Sequence, residues 1–493
     1  MKAIILAAGL GKRMRSNIPK VLHTVAGKPM IHCVIDTCLK AGIRDITVVV
    51  GKGGEEVQSS VSQEIKQPIN FVFQQQQLGT GHAVLCAKEH ISPKDKIVVL
   101  CGDTPLIKPE LLQGLLMYQE SSDAHGIVVA TKVPDPKGYG RVISEIVDRP
   151  PTYATGGYEI PGNSMISNGC VKISDSIKIT DFVNIVEQRD LEADQDYIDI
   201  INTGVYMFTG REFIHGLERI DNKNNQGEYY LTDVPKILKE AGHRVKVYNE
   251  PDHLQFLGVN TQKQLSEASA VLRSRIIDYH FEKGVMIIDP SNTYIDENVV
   301  IEPGVILHPG VILQGASRIG ALAEIGPHTR IKDSQIGPGT VVQTSVIEGA
   351  EIGSDCQIGP FAYLRTGTKS GDRCRIGDFV EVKNATLGND TKASHLAYIG
   401  DAQIGNGVNI GCGAITVNYD GVSKHKTIVE DEAFIGSNVN LIAPVTVRSG
   451  AIVAAGSTVD KEVPEDAMAI ARQKQTNREG AAKKYRDYKK SKS

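Results

Sequence analysis

The chain has 493 residues, 41% of them hydrophobic and 23% charged, with a formal net charge of −4. That length allows two or three domains with cores of their own, and the slightly acidic balance argues against a nucleic-acid-binding protein. No apolar run is long enough to span a bilayer, "MKAIILAAG" turns polar too soon for a signal peptide, and the eight cysteines form no C-x-x-C pair, so a reduced, cytoplasmic protein that binds neither nucleic acid nor membrane is expected.

Over residues 1–260, strand-like and helix-like segments alternate. The runs "AIIL", "ITVVVG", "NFVFQ", "KIVVLCGD" and "GIVVAT" are apolar, β-branched and bounded by turn residues. Between the first two lies "PMIHCVIDTCLKAG", where Met30, Val34, Cys38 and Ala41 recur at helical spacing, with Pro29 at a first helical position and Gly42 as a stop. This alternation predicts an α/β fold: a mostly parallel, mixed sheet covered on both faces, Rossmann-like, with ligands at the carboxyl ends of the strands. "ILAAGLGKRMRSNIPKVLH" follows one such strand and "CGDTP" ends another. The first of these is not a P-loop, because Arg13 follows Lys12, and Met14 takes the place of the third glycine in a dinucleotide fingerprint.

Residues 261–284, "TQKQLSEASAVLRSRIIDYHFEKG", read as one linker helix. Thr261 and Gln264 make a capping box, Leu265, Ala268, Leu272 and Ile276 a stripe, and Gly284 a stop. From 285 to 471 the period changes. Ile295, Ile301, Leu307, Leu313, Ile319, Ile325 and Ile331 stand six apart, the register slips at Ile336, and the rhythm resumes at Ile352, Ile358 and Leu364 and again at Ile435, Leu441, Val447, Val453 and Val459. Such a period means short strands and tight turns coiled into a parallel β-helix, each coil of three sixes rising about 4.8 Å. The tail, 472–493, is rich in Lys and Arg and is expected to be mobile.

"LAAGLGKRMRSNIPKVL" resembles the sugar-1-phosphate nucleotidyltransferase signature LAAGxGxRMxSxxPKxL. The resemblance implies a nucleoside triphosphate wrapped by Leu6, Ala7, Ala8 and Gly9, with Arg13 and Lys20 on its phosphates. Glycines let backbone N–H groups approach an anion, and cations neutralise the charge that builds up as pyrophosphate leaves. "QQQQLGTGHA" resembles the segment of the uridylyl branch in which Gln74 and the Gly79–Thr80 turn read the uracil and the sugar. Asp103 in "CGDTP" and Asn260 in "FLGVNTQ" match the positions that hold Mg²⁺, and Gly140, Glu187 and Asn202 match those that hold the sugar. The physical alternatives are a glycine turn with a solvated charge pair, a polar Gln-rich loop and a solvated Asp at the sheet rim. The stretch from about 146 to 180, which contains Pro, Gly, Ser and Asn, stands where the resembled enzymes have only a short hairpin, and it reads as a surface elaboration, with an effect on sugar choice or lid closure as the alternative because the sugar segments adjoin it.

The six-residue rhythm breaks in "RIGDFVEVKNATLGNDTKASHLAYIGDAQIGNGVNIGCGAITVNYDGVSKHKT", which resembles the acetyltransferase part of the bifunctional uridyltransferases and acetyltransferases that make UDP-N-acetylglucosamine for peptidoglycan and lipopolysaccharide. That family winds its β-helix left-handed and forms homotrimers. The resemblance makes His395 the proton acceptor for an amine attacking acetyl-CoA, since imidazole titrates near working pH. It puts Arg365, Lys383, Tyr398, Asn409 and Lys424 on glucosamine-1-phosphate, with Glu381 a weaker candidate. Asn418, Tyr419, Ser437, Ala455 and Arg472 would line the acetyl-CoA groove. A covalent route through Cys412 competes with direct transfer, although such a residue also serves as packing at a tight turn. Two rival readings stand beside the bifunctional one: a monofunctional nucleotidyltransferase with an inert β-helix, and a non-catalytic regulatory subunit of the same folds.

Overall fold

The computed structural model describes all residues except Leu10, 146–177, Arg189, 192–196 and Ser493. Most of the 146–180 stretch therefore lies outside the described residues. The chain divides into two compact units, residues 1–272 and 273–493, and the division runs through the long helix rather than before it.

In the first unit the elements follow in the order β1 (Lys2–Ala7), α1 (Met30–Lys40), β2 (Asp45–Val50), α2 (Gly54–Glu64), β3 (Asn70–Phe73), α3 (Thr80–Cys86), β4 (Lys96–Cys101), α4 (Pro109–Ser121) and β5 (Gly126–Lys132). After them come β6 (Arg141–Glu145), β7 (Lys178–Val186), β8 (Ile200–Thr209), α5 (Gly210–Leu217), α6 (Asp233–Glu240), β9 (Val245–Asn249) and α7 (Gln262–Glu282). The sheet order is β3-β2-β1-β4-β8-β5-β9-β7-β6. β1 pairs in parallel with β2 and β4, whereas β8 runs antiparallel to both β4 and β5.

Alternate strand residues serve opposite layers, as a two-faced sheet requires. Ala3, Ile5, Val48, Val98 and Leu100 pack with Ile31, Val34 and Leu112 on one face. Ile4, Val49, Ile97 and Val99 pack with Val84, Phe213 and Val234 on the other. Burying one such side chain contributes about 1.5–3 kcal/mol, so the layers fix where each strand ends. β1 and β4 end on the same rim, which places Gly9 and Asp103 side by side in the topology.

The capping box of α7 forms as expected. The Gln264 N–H donates to Thr261 Oγ1 at 3.2 Å, and the Asn260 N–H donates to Gln264 Oε1 at 2.9 Å. This cap also fixes Asn260 at the end of its loop. Gly284, at φ +81°, closes the helix, where a β-carbon would be strained.

In the second unit the period-six aliphatics are buried and stack coil on coil. Ile295 lies over Leu313 and Leu313 over Ile331, while Ile301 lies over Ile319 and Leu307 over Ile325. Three parallel sheets of eleven, ten and nine strands form the faces of the prism, the left-handed β-helix of the hexapeptide class. The slip at Ile336 is one residue lost at the turn after Lys332, so Ile319 still pairs with Ile336. Residues Ala481–Lys490 form a helix with no buried residue, started by Gly480 and built from Ala, Lys, Arg and Tyr, which suit a helix without any packing. Among the described residues no helix is long and apolar enough to cross a membrane.

Candidate active sites

The glycine turn is built by its own sequence. Gly11 takes φ +59° and caps a short 3₁₀ turn, Lys12–Met14, whose Met14 side chain is buried against Val25, Met30, Leu106 and Val259. With Met14 anchored inward, Arg13 faces outward. A second short turn, Lys20–Leu22, follows Pro19 and buries Val21. The result brings four expected residues to one point. Lys20 Nζ donates to Asp103 and, at 2.6 Å, to Asn260 Oδ1, and Arg13 Nη2 donates to the same Asn260 oxygen at 2.9 Å. The Val259 N–H donates to the Asp103 carbonyl at 3.0 Å and locks the two loops together. A carboxylate and an amide oxygen that converge on one cation make a donor set of hard oxygens, which fits a divalent metal of the magnesium type.

Around this point Leu6 and Ala7 finish β1 and Ala8 follows it, with Ala7 and Ala8 buried. A β-carbon at Gly9 would meet nothing within 4 Å, so its backbone is open to an anion. Gln74 is 4% exposed, and its amide donates to the Gly79 carbonyl at 3.1 Å and contacts His82 at 3.0 Å. It therefore braces the turn it was expected to share. Gln77, which the sequence did not single out, ties that turn to the glycine loop by donating to the Ala8 carbonyl at 2.5 Å. Thr80 Oγ1 accepts from the Leu231 N–H at 3.2 Å.

The sugar candidates also meet. The Asn202 N–H donates to the Gly140 carbonyl at 2.9 Å, and a β-carbon on Gly140 would sit 3.4 Å from Glu187 Oε2. Thr232 Oγ1 donates to Glu187 at 3.2 Å, and Asn202 Nδ2 donates to the Tyr206 hydroxyl at 2.6 Å. Burial pushes the Glu187 carboxyl above the usual carboxylate range. Thr232 is a further residue that the sequence reading missed.

In the second unit, β-strands Arg375–Asp378 and Lys392–His395 stack in register, so Asp378 lies beside His395. His395 Nδ1 contacts Asp378 Oδ1 at 2.5 Å, and that hydrogen bond holds the Asp378 carboxyl below its ordinary range. Ile376, Ala393, Ile410, Ile435 and Val453 form one interior ladder. Two residues beyond them lies an exterior column of Asp378, His395, Cys412, Ser437 and Ala455, all exposed but half-buried Asp378. Arg472 follows below, its Cδ 3.9 Å from where a β-carbon on Gly456 would be. Cys412 is thus exposed beside the candidate base instead of serving as packing.

On the next sheet Tyr363, Glu381 and Tyr398 form an outward ladder, and Arg365 Nη1 donates to Glu381 Oε1 at 2.8 Å. Lys424 and Arg365, in that order of effect, lower the Lys383 ammonium below its ordinary range. Three cations that repel one another are a place for a phosphate. Asn409 stands apart, paired with Lys392 on the first sheet. Asp401 organises the loop that interrupts the helix, accepting from Asn384 at 2.6 Å and from Asn418 at 2.5 Å. With Asn384, Lys424, His425 and Lys426 it lines a cavity of about 380 Å³. Tyr419, which pairs with Lys424 across the loop, is exposed.

A doubly covered sheet with a glycine turn and a cation-bridged oxygen pair, joined to a β-helix carrying a buttressed imidazole, defines a nucleotidyltransferase fused to an acyltransferase. Comparisons with known proteins agree. Residues 3–151 match the MobA-like NTP transferase domain, and 426–461 match the hexapeptide repeat of succinyl-transferase. The bifunctional protein GlmU of Clostridioides difficile (strain 630) is 44% identical over 483 residues, 98% of this chain and 97% of the relative. That of a Geobacillus species (strain WCH70) is 44% identical over 478 residues, covering 97% and 96%. The chain belongs to the GlmU family of bifunctional uridyltransferases and acetyltransferases of UDP-N-acetylglucosamine synthesis.

Proposed function

We propose that each activity is carried by the residues gathered in one unit. In the β-helix, the amine of glucosamine-1-phosphate attacks the acetyl-CoA thioester directly while His395 accepts its proton through Nε2, and the carbon–sulfur bond breaks as coenzyme A leaves as the thiol, taking that proton. Asp378 holds Nδ1, which fixes the tautomer and balances the imidazolium. Arg365, Lys383 and Lys424 take the substrate phosphate with Tyr398 beside the sugar, Asn409 reaches the sugar of a site shared between neighbouring copies of the chain, and Asn418, Tyr419, Ser437, Ala455 and Arg472 lie along the coenzyme. In the first unit an oxygen of N-acetylglucosamine-1-phosphate attacks the α-phosphorus of UTP in line, and pyrophosphate leaves against Arg13 and Lys20. Gln74, Gly79 and Thr80 face the base, and Gly140, Glu187 and Asn202 face the sugar. Asp103 and Asn260 would hold Mg²⁺, which neutralises phosphate charge when bound. The single observation that carries this reading is the convergence of Arg13, Lys20, Asp103 and Asn260 on one point.

A cytoplasmic homotrimer completes the reading. Phe361 and Phe379 stack at 5.4 Å on the corner that also carries Leu396, next to His395. All three are more than half exposed, an apolar strip suited to a second copy of the chain. Asp103→Ala should abolish uridylyl transfer and spare acetylation, and His395→Ala should do the reverse, with acetylation falling about 10²–10⁴-fold. Activities that fall together in either variant would overturn the assignment of independent sites.

A further inference from the structure

On the rim of the sheet opposite the glycine turn, three chain segments bring unlike metal ligands together. His125 immediately precedes β5, His243 lies two residues before β9, and Glu212 sits in the first turn of α5, just after β8 ends. β5 and β9 start side by side there, Gly126 pairing with Val245, and β8 finishes against them with Phe208 opposite Gly126. β4 and β5 each run antiparallel to β8 and so point the same way, which puts this rim at the far end from Asp103.

Backbone hydrogen bonds hold the three segments in place before any ligand arrives. The His125 N–H donates to the Arg244 carbonyl at 2.8 Å, and the Thr209 N–H donates to the His125 carbonyl at 3.0 Å. One donor atom from each of His125, Glu212 and His243 lies within 4.8 Å of the other two. The imidazole rings of His125 and His243 have centroids 5.1 Å apart. Burial raises the Glu212 pKa, but the Thr209 hydroxyl, its own backbone N–H and the two imidazoles outweigh that and hold the carboxyl below its ordinary range. The contact that His125 must give up is weak, an Arg244 N–H to Nδ1 at 3.3 Å.

We propose that His125, Glu212 and His243 form a binding site for a divalent transition-metal ion of the zinc type. Two nitrogens and one carboxylate oxygen are a borderline donor set, selective for Zn²⁺ over the all-oxygen preference of Mg²⁺. The fourth position of a tetrahedral ion is open to water, or to His215 once its ring leaves the Arg219 guanidinium that now contacts it. His215 lies one helical turn from Glu212 on the same face of α5, and its ring is 6.2 Å from that of His243. A bound ion would clamp the starts of β5 and β9 to the first turn of α5, away from the reacting groups.

The test uses the full chain, stripped with a chelator and dialysed against Zn²⁺ in millimolar Mg²⁺, with Co²⁺ as a spectroscopic stand-in. The wild type should retain one equivalent of Zn²⁺, and its Co²⁺ form should absorb in the visible as a low-coordinate nitrogen-ligated ion does. His125→Gln and His243→Gln should each weaken binding at least tenfold and bleach that band, while both transferase activities and the binding in Asp103→Asn stay as in the wild type. Retention unchanged in both histidine variants, loss confined to Asp103→Asn, or no Zn²⁺ retained by the wild type would each overturn the proposal. If His243→Gln fails to fold, the His125→Gln measurement decides.

Discussion

Replacing Gly11 with alanine tests whether the shape of the turn, and not its composition alone, sets uridylyl transfer. Gly11 has φ +59°, and a β-carbon there would sit 2.8 Å from the β-carbon of Lys20. The left-handed conformation costs an L-residue about 1–2 kcal/mol. The contact involves the root of the Lys20 side chain, so the lysine itself must shift by a few tenths of an ångström or more, and the ammonium at its end swings further. Displacements approaching 1 Å in a positioning group cost on the order of 10²-fold in rate. Gly11→Ala should therefore lower uridylyl kcat/KM by about 10- to 100-fold and destabilise the first unit by about 1–2 kcal/mol. Acetylation should stay at the wild-type rate. Pyrophosphate release from UTP and N-acetylglucosamine-1-phosphate, and thiol release from acetyl-CoA, measure the two activities on one preparation. Full uridylyl activity in the variant would refute the argument, as would an equal loss of both.

Other outcomes follow from the same geometry. Asp378→Asn keeps the stacking but removes the charge beside His395, and acetylation should fall about tenfold or more with little change in KM for glucosamine-1-phosphate; an unchanged kcat would show that Asp378 does not position the base. Cys412→Ala should keep wild-type acetylation, and trapping an acetyl group on Cys412 in the wild type would instead establish the covalent route. Asp233 has its carboxyl pushed up to about 6 by burial and by Asp221, so the folded protein holds a proton there that the unfolded chain releases near pH 4. The folded pKa is the higher one, hence stability drops as pH rises from about 4 to 6 and stays lower above that. Asp233→Asn should raise the free energy of unfolding at pH 8 by about 1–2 kcal/mol after allowance for solvent screening, seen as a higher denaturant midpoint, and do little at pH 4. Equal midpoints at both pH values would rule out the shifted carboxyl.

Legibility of the sequence followed the distance over which each feature is encoded. The glycine turn is local, so Arg13 and Lys20 could be read from one continuous stretch, and the six-residue period marked the aliphatics from Ile295 to Ile331 as interior ladders. Asn260 was found through its resemblance alone, yet it meets Lys20 because the α7 cap holds it there. The partners of these groups were harder to see. Asp378 is brought to His395 by a coil of seventeen residues, one short of the regular eighteen, and that register cannot be read where the rhythm breaks. Gln77 looked like its glutamine neighbours until the fold turned its amide onto Ala8. His125 and His243 carry no motif because strand order, not spacing, joins them. The helix of the basic tail was hidden by its charge, and its Ala and Lys content favours it.

The regular eighteen-residue coils between Ile295 and Ile331 also work as a ruler. Each contributes the same cross-section and the same rise, and each strand pairs only with the strands one coil above and below. Excising one whole eighteen-residue repeat there would shorten the stack by about 4.8 Å without altering any face that reaches His395. Removing a single residue from a strand would instead turn an inward aliphatic outward, so a one-residue change is absorbed only at a turn, as after Lys332.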